Sequence, residues 1–201
     1  MKKDTLRNLQ NRFKRLRLKN QHFTVISNNC IAGCVLHDLG QRFYTPTVNL
    51  YIPFPDYTKF LQNLRHYVWA EIEDITSSLS TCPIGLVGGE IKVYFLHYKT
   101  FDDAKEAWCR RRERIDWENL YVVLVERDGC TADDLKEFDS LPYPNKIAFT
   151  HKKYPFIKSS FCIKGYEGKL ELGNIMDYTG PFGKRVYDQF NWVRFFNQRC
   201  K

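Results

Sequence analysis

The sequence predicts an α/β fold of three layers, a mainly parallel sheet with flanking helices and an irregular aromatic and glycine-rich C-terminal part. Three observations predict it. Short β-rich apolar runs alternate with segments of helical spacing through the middle of the chain. Both intervening helices carry a start signal. At 201 residues and 43% hydrophobic, with 15 Phe, 12 Tyr and 4 Trp, the chain can fill a substantial core.

Ile91 to Leu96 reads as a strand, followed by Thr100 and Asp103 as a helix start related to the capping box, with Ala104, Ala107, Trp108 and Ile115 on the buried face. Leu120 to Val125 is a fully apolar strand. Thr131 and Asp134 repeat the cap signal for a short helix carrying Leu135 and Phe138, and Lys146 to Phe149 supply another strand. Strand, helix, strand, helix and strand at this spacing argue for parallel pairing with right-handed crossovers. Upstream, Phe23 to Ile26 is a buried-strand pattern that stops at Ser27-Asn28-Asn29-Cys30, and a short helix is expected between Gly33 and Gly40. Val48 to Ile52 reads as a strand, Asp56 to Trp69 as a helix, and Ser77 to Gly89 as loop. Arg185 to Arg199 reads as a closing helix.

The net charge of +8 is unevenly placed. Residues 1–20 hold eight Lys and Arg against Asp4 alone, a net +7, so the remaining 181 residues are close to neutral. This divides the chain into a basic amphipathic N-terminal arm, residues 1–20, and a single α/β domain, residues 21–201. In the arm, Leu6, Leu9, Phe13 and Leu16 recur at helical spacing. Either this stripe packs on the domain, the slightly favoured reading, or it lies on an anionic membrane surface as a peripheral contact. Nucleic acid is the weakest partner, since nothing else in the sequence supports base readout. No run approaches the roughly 20 apolar residues of a membrane span, and no secretory signal is read. Cytoplasmic residence, with that peripheral contact, is the expectation. The seven cysteines are scattered, and only Cys30 and Cys34 are close, without a second pair at zinc spacing. Small buried thiols are expected rather than disulfides or a metal site.

In parallel sheets, ligands bind beyond the carboxyl ends of the strands. Three polar clusters follow strands here: Ser27-Asn28-Asn29-Cys30, His97-Tyr98, and Glu126-Arg127-Asp128. Ser27 or Cys30 is the candidate nucleophile, His97 the general base and Asp128 its orienting carboxylate. Asn28, Asn29 and Tyr98 are candidate ligand-binding groups. The structural alternative for the first cluster is a helix cap with an Asx turn, and for His97 a hydrogen-bonded core histidine. Arg111 falls on the buried side of its helix, four residues from Ala107 and from Ile115, and so needs an acidic partner or an anionic ligand.

Several of these motifs together resemble a bacterial domain-of-unknown-function family often labelled exopolysaccharide (capsular polysaccharide) biosynthesis proteins. The matching stretches are Phe23 to Cys30, Phe95-Leu96-His97-Tyr98, Trp108 with Arg111, Arg112, Arg114 and Ile115, and Glu137-Phe138-Asp139 with Asn145 to Thr150. The sequence departs from the family pattern at Ile31-Ala32, where an aromatic residue and a glycine are expected. The resemblance implies a role in assembling or decorating cell-surface polysaccharide, and it adds Arg112 and Asn145 to the candidate ligand-binding residues. The leading expectation is a transferase, acting by acyl transfer to a glycan precursor. A glycosyl- or phosphosugar transferase using a nucleotide-sugar is the first alternative, lowered by the absence of an Asp-x-Asp motif. A non-catalytic ligand-binding adaptor is the second. No cofactor is named by the sequence.

Overall fold

A computed structural model describes residues 3–180 and 182–198. In chain order the elements are α1 (Lys3–Arg17), β1 (Thr24–Ser27), α2 (Ile31–Asp38), α3 (Asp56–Gln62), α4 (Leu64–Trp69), β2 (Ile72–Asp74), β3 (Ile84–Val87) and β4 (Ile91–Tyr94). They continue with α5 (Phe101–Arg112), β5 (Leu120–Val125), α6 (Ala132–Ser140), β6 (Lys146–Thr150), β7 (Ser160–Cys162), β8 (Tyr178–Thr179), β9 (Lys184–Arg185), a 3-10 turn (Val186–Gln189) and α7 (Trp192–Asn197).

The central sheet is β1-β5-β6-β7, and every pairing in it is parallel. Its two faces follow the period of two along each strand. Ile26, Val122, Leu124 and Ala148 point into one core layer, closed by α3 to α6 and the second sheet. Val25, Tyr121, Val123, Ile147 and Phe149 point into the other, closed by α2, α7 and the C-terminal segments. Both faces are therefore covered, which is why Leu120 to Val125 is apolar throughout rather than alternating.

The start signals act as read. Thr100 accepts from the Asp103 N–H to open α5, and Thr131 with Asp134 forms a full capping box for α6. Trp108 then seats its indole N–H on the Val68 carbonyl at 3.1 Å.

Several expectations are corrected. β4 does not belong to the parallel sheet; it pairs antiparallel with β3, and β3 with β2. The cause lies in the segment read as loop: Gly88 and Gly89, both with positive φ, and Glu90 make a three-residue hairpin turn from β3 into β4. Val48 to Ile52 forms no strand beyond one bridge between Tyr51 and Tyr94. The 56–69 helix is broken at Asn63, whose φ of −135° is not helical. Gly33 sits within α2, where the Val48 side chain comes within 3.3 Å of where a Cβ would stand. The closing helix starts only at Trp192, because Asn191 caps it by accepting from the Arg194 N–H; Arg199 lies outside the described residues.

α1 is fixed to the domain, but by its polar side. Arg7, only 5% exposed, bonds to Asp38, Asp188, the Tyr187 hydroxyl and the Gly183 carbonyl. Asn11 donates to Asp38 at 2.7 Å and Lys14 to Asp188 at 2.6 Å. The apolar stripe expected to pack is the outer one: Leu9, Phe13 and Leu16 are exposed and Leu6 half-buried. Among the described residues no helix is long and apolar enough to cross a membrane.

Candidate active site at the carboxyl edge of the parallel sheet

Strand polarity gathers the ends of β1, β5, β6 and β7 on one edge. At the end of β1 the polar run is consumed by the backbone. The Asn28 side chain continues the ladder, donating to the Val125 carbonyl and accepting from the Val125 N–H, both at 3.0 Å. Asn29 accepts from the Ile31 N–H at 3.0 Å, an Asx turn that opens α2. Ser27 is fully buried and donates its hydroxyl to the Asn29 carbonyl at 2.7 Å. Cys30 is buried with its sulfur 3.7 Å from the Leu50 carbonyl, and burial, aided by Cys34, pushes its thiol up to about 11. A thiol so protonated is a poor nucleophile.

The expected relay is only partly assembled. His97 follows β4 of the antiparallel sheet, yet it reaches a cavity of about 260 Å³ that Cys30, Cys34, His37, Asn49 and Arg185 also line. His97 is exposed, not a core histidine. Asp128 does not join them. Its backbone is in the left-handed region at φ 59°, its carboxylate accepts from the Tyr51 hydroxyl, and its N–H donates to Glu171 at 2.7 Å. Burial and then Glu171 raise its carboxyl above the ordinary value, while the Phe54 backbone opposes them.

Of the remaining candidates, Tyr98 and Arg111 meet: the guanidinium donates to the Tyr98 hydroxyl and lies 5.8 Å from the Phe43 ring centroid, and Phe43 lines the same cavity. Arg111 thus takes a hydroxyl and an aromatic face in place of the expected carboxylate or anion. Arg112 points elsewhere, 4.7 Å from the Trp69 ring centroid and bonded to the Trp69 carbonyl at 3.4 Å. Asn145 precedes β6 and so lies at the opposite, amino-terminal edge, 3.4 Å from the Leu120 carbonyl, beside a separate cavity of about 350 Å³.

A second polar group at the carboxyl edge joins the buried Glu126 and His151 to the half-buried Tyr154. Glu126, the first residue past β5, is 1% exposed, and His151, the first past β6, is 6% exposed. Glu126 Oε2 accepts from the His151 backbone N–H at 2.7 Å and from the ring at 2.8 Å; Oε1 accepts from the Tyr154 hydroxyl at 2.8 Å. A carboxylate offers only acceptors, so Nδ1 is the donor in this bond, and in the neutral ring Nε2 carries the lone pair. Burial and the Glu126 bond raise the Tyr154 hydroxyl, fixing it as donor. Cys130 and Cys162 lie within electrostatic reach of Glu126, and burial lifts both thiols, Cys130 to about 12. Around them Lys152 and Lys153 are exposed, the Arg127 Nε is buried without a hydrogen-bond partner among the described residues, and Asp134 and Glu167 lie within electrostatic reach of Cys130 and Cys162 respectively. Sequence reasoning named the Glu126 cluster but weighed Asp128 in it, and it missed His151. With the strand read as Lys146 to Phe149, the next residue is Thr150; only the observed end of β6 at Thr150 puts His151 first past the strand.

No disulfide joins the described cysteines; Cys30 is buried, the five others are half-buried, and Cys200 lies outside the described residues. Among the described residues no three His, Cys, Asp or Glu side chains are grouped to hold a metal ion. Residues 1–197 match the family described as "Domain of unknown function (DUF1919)". A protein of Haemophilus influenzae strain Rd, described as an uncharacterized protein, is 40% identical over 187 residues, which span 93% of this chain and 90% of that relative.

Proposed function

The chain belongs to the DUF1919 family, and on that premise we propose that it is a transferase moving an acyl group onto a hydroxyl of a cell-surface polysaccharide precursor. The observation that carries the chemistry is the buried Glu126–His151 hydrogen bond of 2.8 Å at the carboxyl edge of the parallel sheet. The polysaccharide context rests on the motif resemblance of Phe23 to Cys30, Phe95 to Tyr98 and Trp108 to Ile115.

Glu126 holds the imidazole in one tautomer and stabilises the imidazolium when it forms, while Tyr154 and the His151 backbone N–H fix the carboxylate. His151 Nε2 takes the proton of the acceptor hydroxyl as that oxygen attacks the carbonyl carbon of a thioester donor. The carbon–sulfur bond breaks, and the leaving thiolate recovers the proton from Nε2. No covalent enzyme intermediate is needed, which accords with the buried Ser27 hydroxyl and the protonated Cys30 thiol. Lys152 and Lys153, exposed beside His151, suit a donor bearing phosphates.

Release of free thiol from acyl-coenzyme A, measured with and without the host's lipid-linked glycan precursors, tests the reading. Acceptor-dependent release is expected, reduced roughly 100-fold or more in His151→Gln, as general-base loss predicts, and retained in Cys30→Ala. Undiminished turnover in a folded His151→Gln variant sinks the mechanism. Consumption of a nucleotide-sugar in place of the thioester sinks the acyl-transfer reading.

A further inference from the structure

Amphipathic helices in water turn their apolar stripe inward, because burial of that face supplies most of their stability. α1 does the reverse. Residues 7, 11 and 14 form its docked face, held by the bonds of Arg7, Asn11 and Lys14, and Leu18 is buried just past its end. Leu9, Phe13 and Leu16 point away, 51%, 61% and 78% exposed. The loop beside the helix adds Phe182, 64% exposed, whose carbonyl accepts from Gln10 at 3.0 Å. Between α1 and α7 the surface opens into a groove of about 590 Å³ lined by Leu16 and Val193, with Arg17, Lys19 and Arg194 around it. Asn197 clamps the two elements, accepting from the Lys19 N–H and donating to the Arg17 carbonyl.

We propose that the outer face of α1, with the rim of α7, is a docking surface for an anionic lipid bilayer. Charge complementarity selects this occupant. Arg12 is three residues from Leu9 and four from Leu16, and Arg17 is four from Phe13, so cations border the apolar stripe on both sides. Arg12, Arg17, Lys19 and Arg194 are exposed and make no ion pair among the described residues. The single acidic residue of α1, Asp4, accepts from the Tyr178 hydroxyl. An apolar strip bordered by Arg and Lys fits the boundary between headgroups and acyl chains. A second copy fits poorly, because a two-fold contact would set this same cationic patch against itself. The helix is already folded and anchored, so binding orders little further chain.

Co-sedimentation of the full chain with vesicles tests the proposal. Binding to phosphatidylglycerol–phosphatidylethanolamine vesicles at low salt is expected, with release as salt rises toward about 0.5 M, and no binding to phosphatidylcholine vesicles. The Phe13→Ser/Leu16→Ser variant should lose binding while melting near the wild-type temperature, since both side chains are exposed. Arg12→Glu/Arg17→Glu should weaken partitioning by roughly fivefold or more per residue. Three results overturn it: no sedimentation with anionic vesicles, equal binding to neutral ones, or a dimer by light scattering that Phe13→Ser/Leu16→Ser dissociates while vesicle binding is unchanged.

Discussion

Replacing Arg7 with Met tests how the first helix is held. The guanidinium is 6% exposed and pairs with Asp38, 9% exposed, and Asp188, 6% exposed. Met conserves much of the buried stem but removes the charge, leaving two buried carboxylates to share weaker partners. Removing one member of a buried pair costs about 3–5 kcal/mol. Asp188 keeps Lys14 at 2.6 Å and the Arg185 N–H at 2.8 Å, and Asp38 keeps Asn11 and the Tyr187 hydroxyl, which places the expected cost near the lower bound, about 3 kcal/mol. For a domain of this size each kcal/mol moves the melting temperature by about 2–4 °C, so a fall of roughly 6–12 °C is expected by circular dichroism. The pH dependence sharpens the test. Burial raises the Asp188 carboxyl, but the Arg185 N–H, Lys14 and Arg7 outweigh it and hold the group below its ordinary value. Its contribution to stability is therefore complete above the unfolded carboxylate's pKa of about 4 and is lost as pH falls through the lower folded value. The gap between wild type and variant should narrow below about pH 4. A melting temperature within about 2 °C of wild type at pH 7, or a gap that widens in acid, refutes the reasoning.

Two further outcomes concern the first loop. Asn28→Ala leaves the Val125 N–H and carbonyl without their side-chain partner in a buried site; at about 1–3 kcal/mol per stranded group, a loss of at least about 2 kcal/mol in urea unfolding is expected, and a loss under about 0.5 kcal/mol would show that the ladder does not depend on it. Alkylation of Cys30 by iodoacetamide, followed by mass spectrometry of its peptide, should be slow at pH 7 and still rising past pH 9, given a thiol near 11; a plateau by pH 8 would identify a reactive thiolate instead.

Local signals were legible where one stretch of chain decides its own structure. Thr100 and Thr131 start helices because the capping hydroxyl and the N–H it accepts from lie three residues apart, and Leu120 to Val125 is a central strand because both of its faces are covered. Partnership between distant strands was not legible in this way. An apolar run such as Ile91 to Leu96 reads the same in either sheet; only the Gly88-Gly89 turn, inside a segment read as loop, assigns it to the antiparallel one. The site followed the strands. Because β4 left the parallel sheet, His97 reached Cys30 through a cavity wall and not through a shared edge, while the true neighbour of the β5 end is the β6 end, which brings His151 to Glu126. Asn28, Asn29 and Ser27 are polar for the sake of the backbone, a role that residue type alone does not separate from ligand binding.

The arm shows why a charge count needs a surface before it becomes an argument. Among the described side chains its cations divide into two populations, one facing the domain and one in solvent. Arg7 and Lys14 are neutralised by Asp38 and Asp188, and Arg15 donates to the Asp38 and His37 carbonyls at the end of α2, so none of the three is available to a distant anion. Arg12, Arg17 and Lys19 remain in solvent beside Leu9, Phe13 and Leu16. Docking and membrane contact looked like rival uses of a single apolar stripe, yet the polar face docks and thereby leaves the stripe outside. Each explains what the other leaves over. A helix tied down only through its apolar side would have nothing but charge to offer a bilayer, and an isolated helix of this length would be marginal in water. Held by its buried ion pairs, α1 presents an ordered apolar edge bordered by cations, and the strength of that presentation depends on the same Arg7 whose loss should loosen the fold.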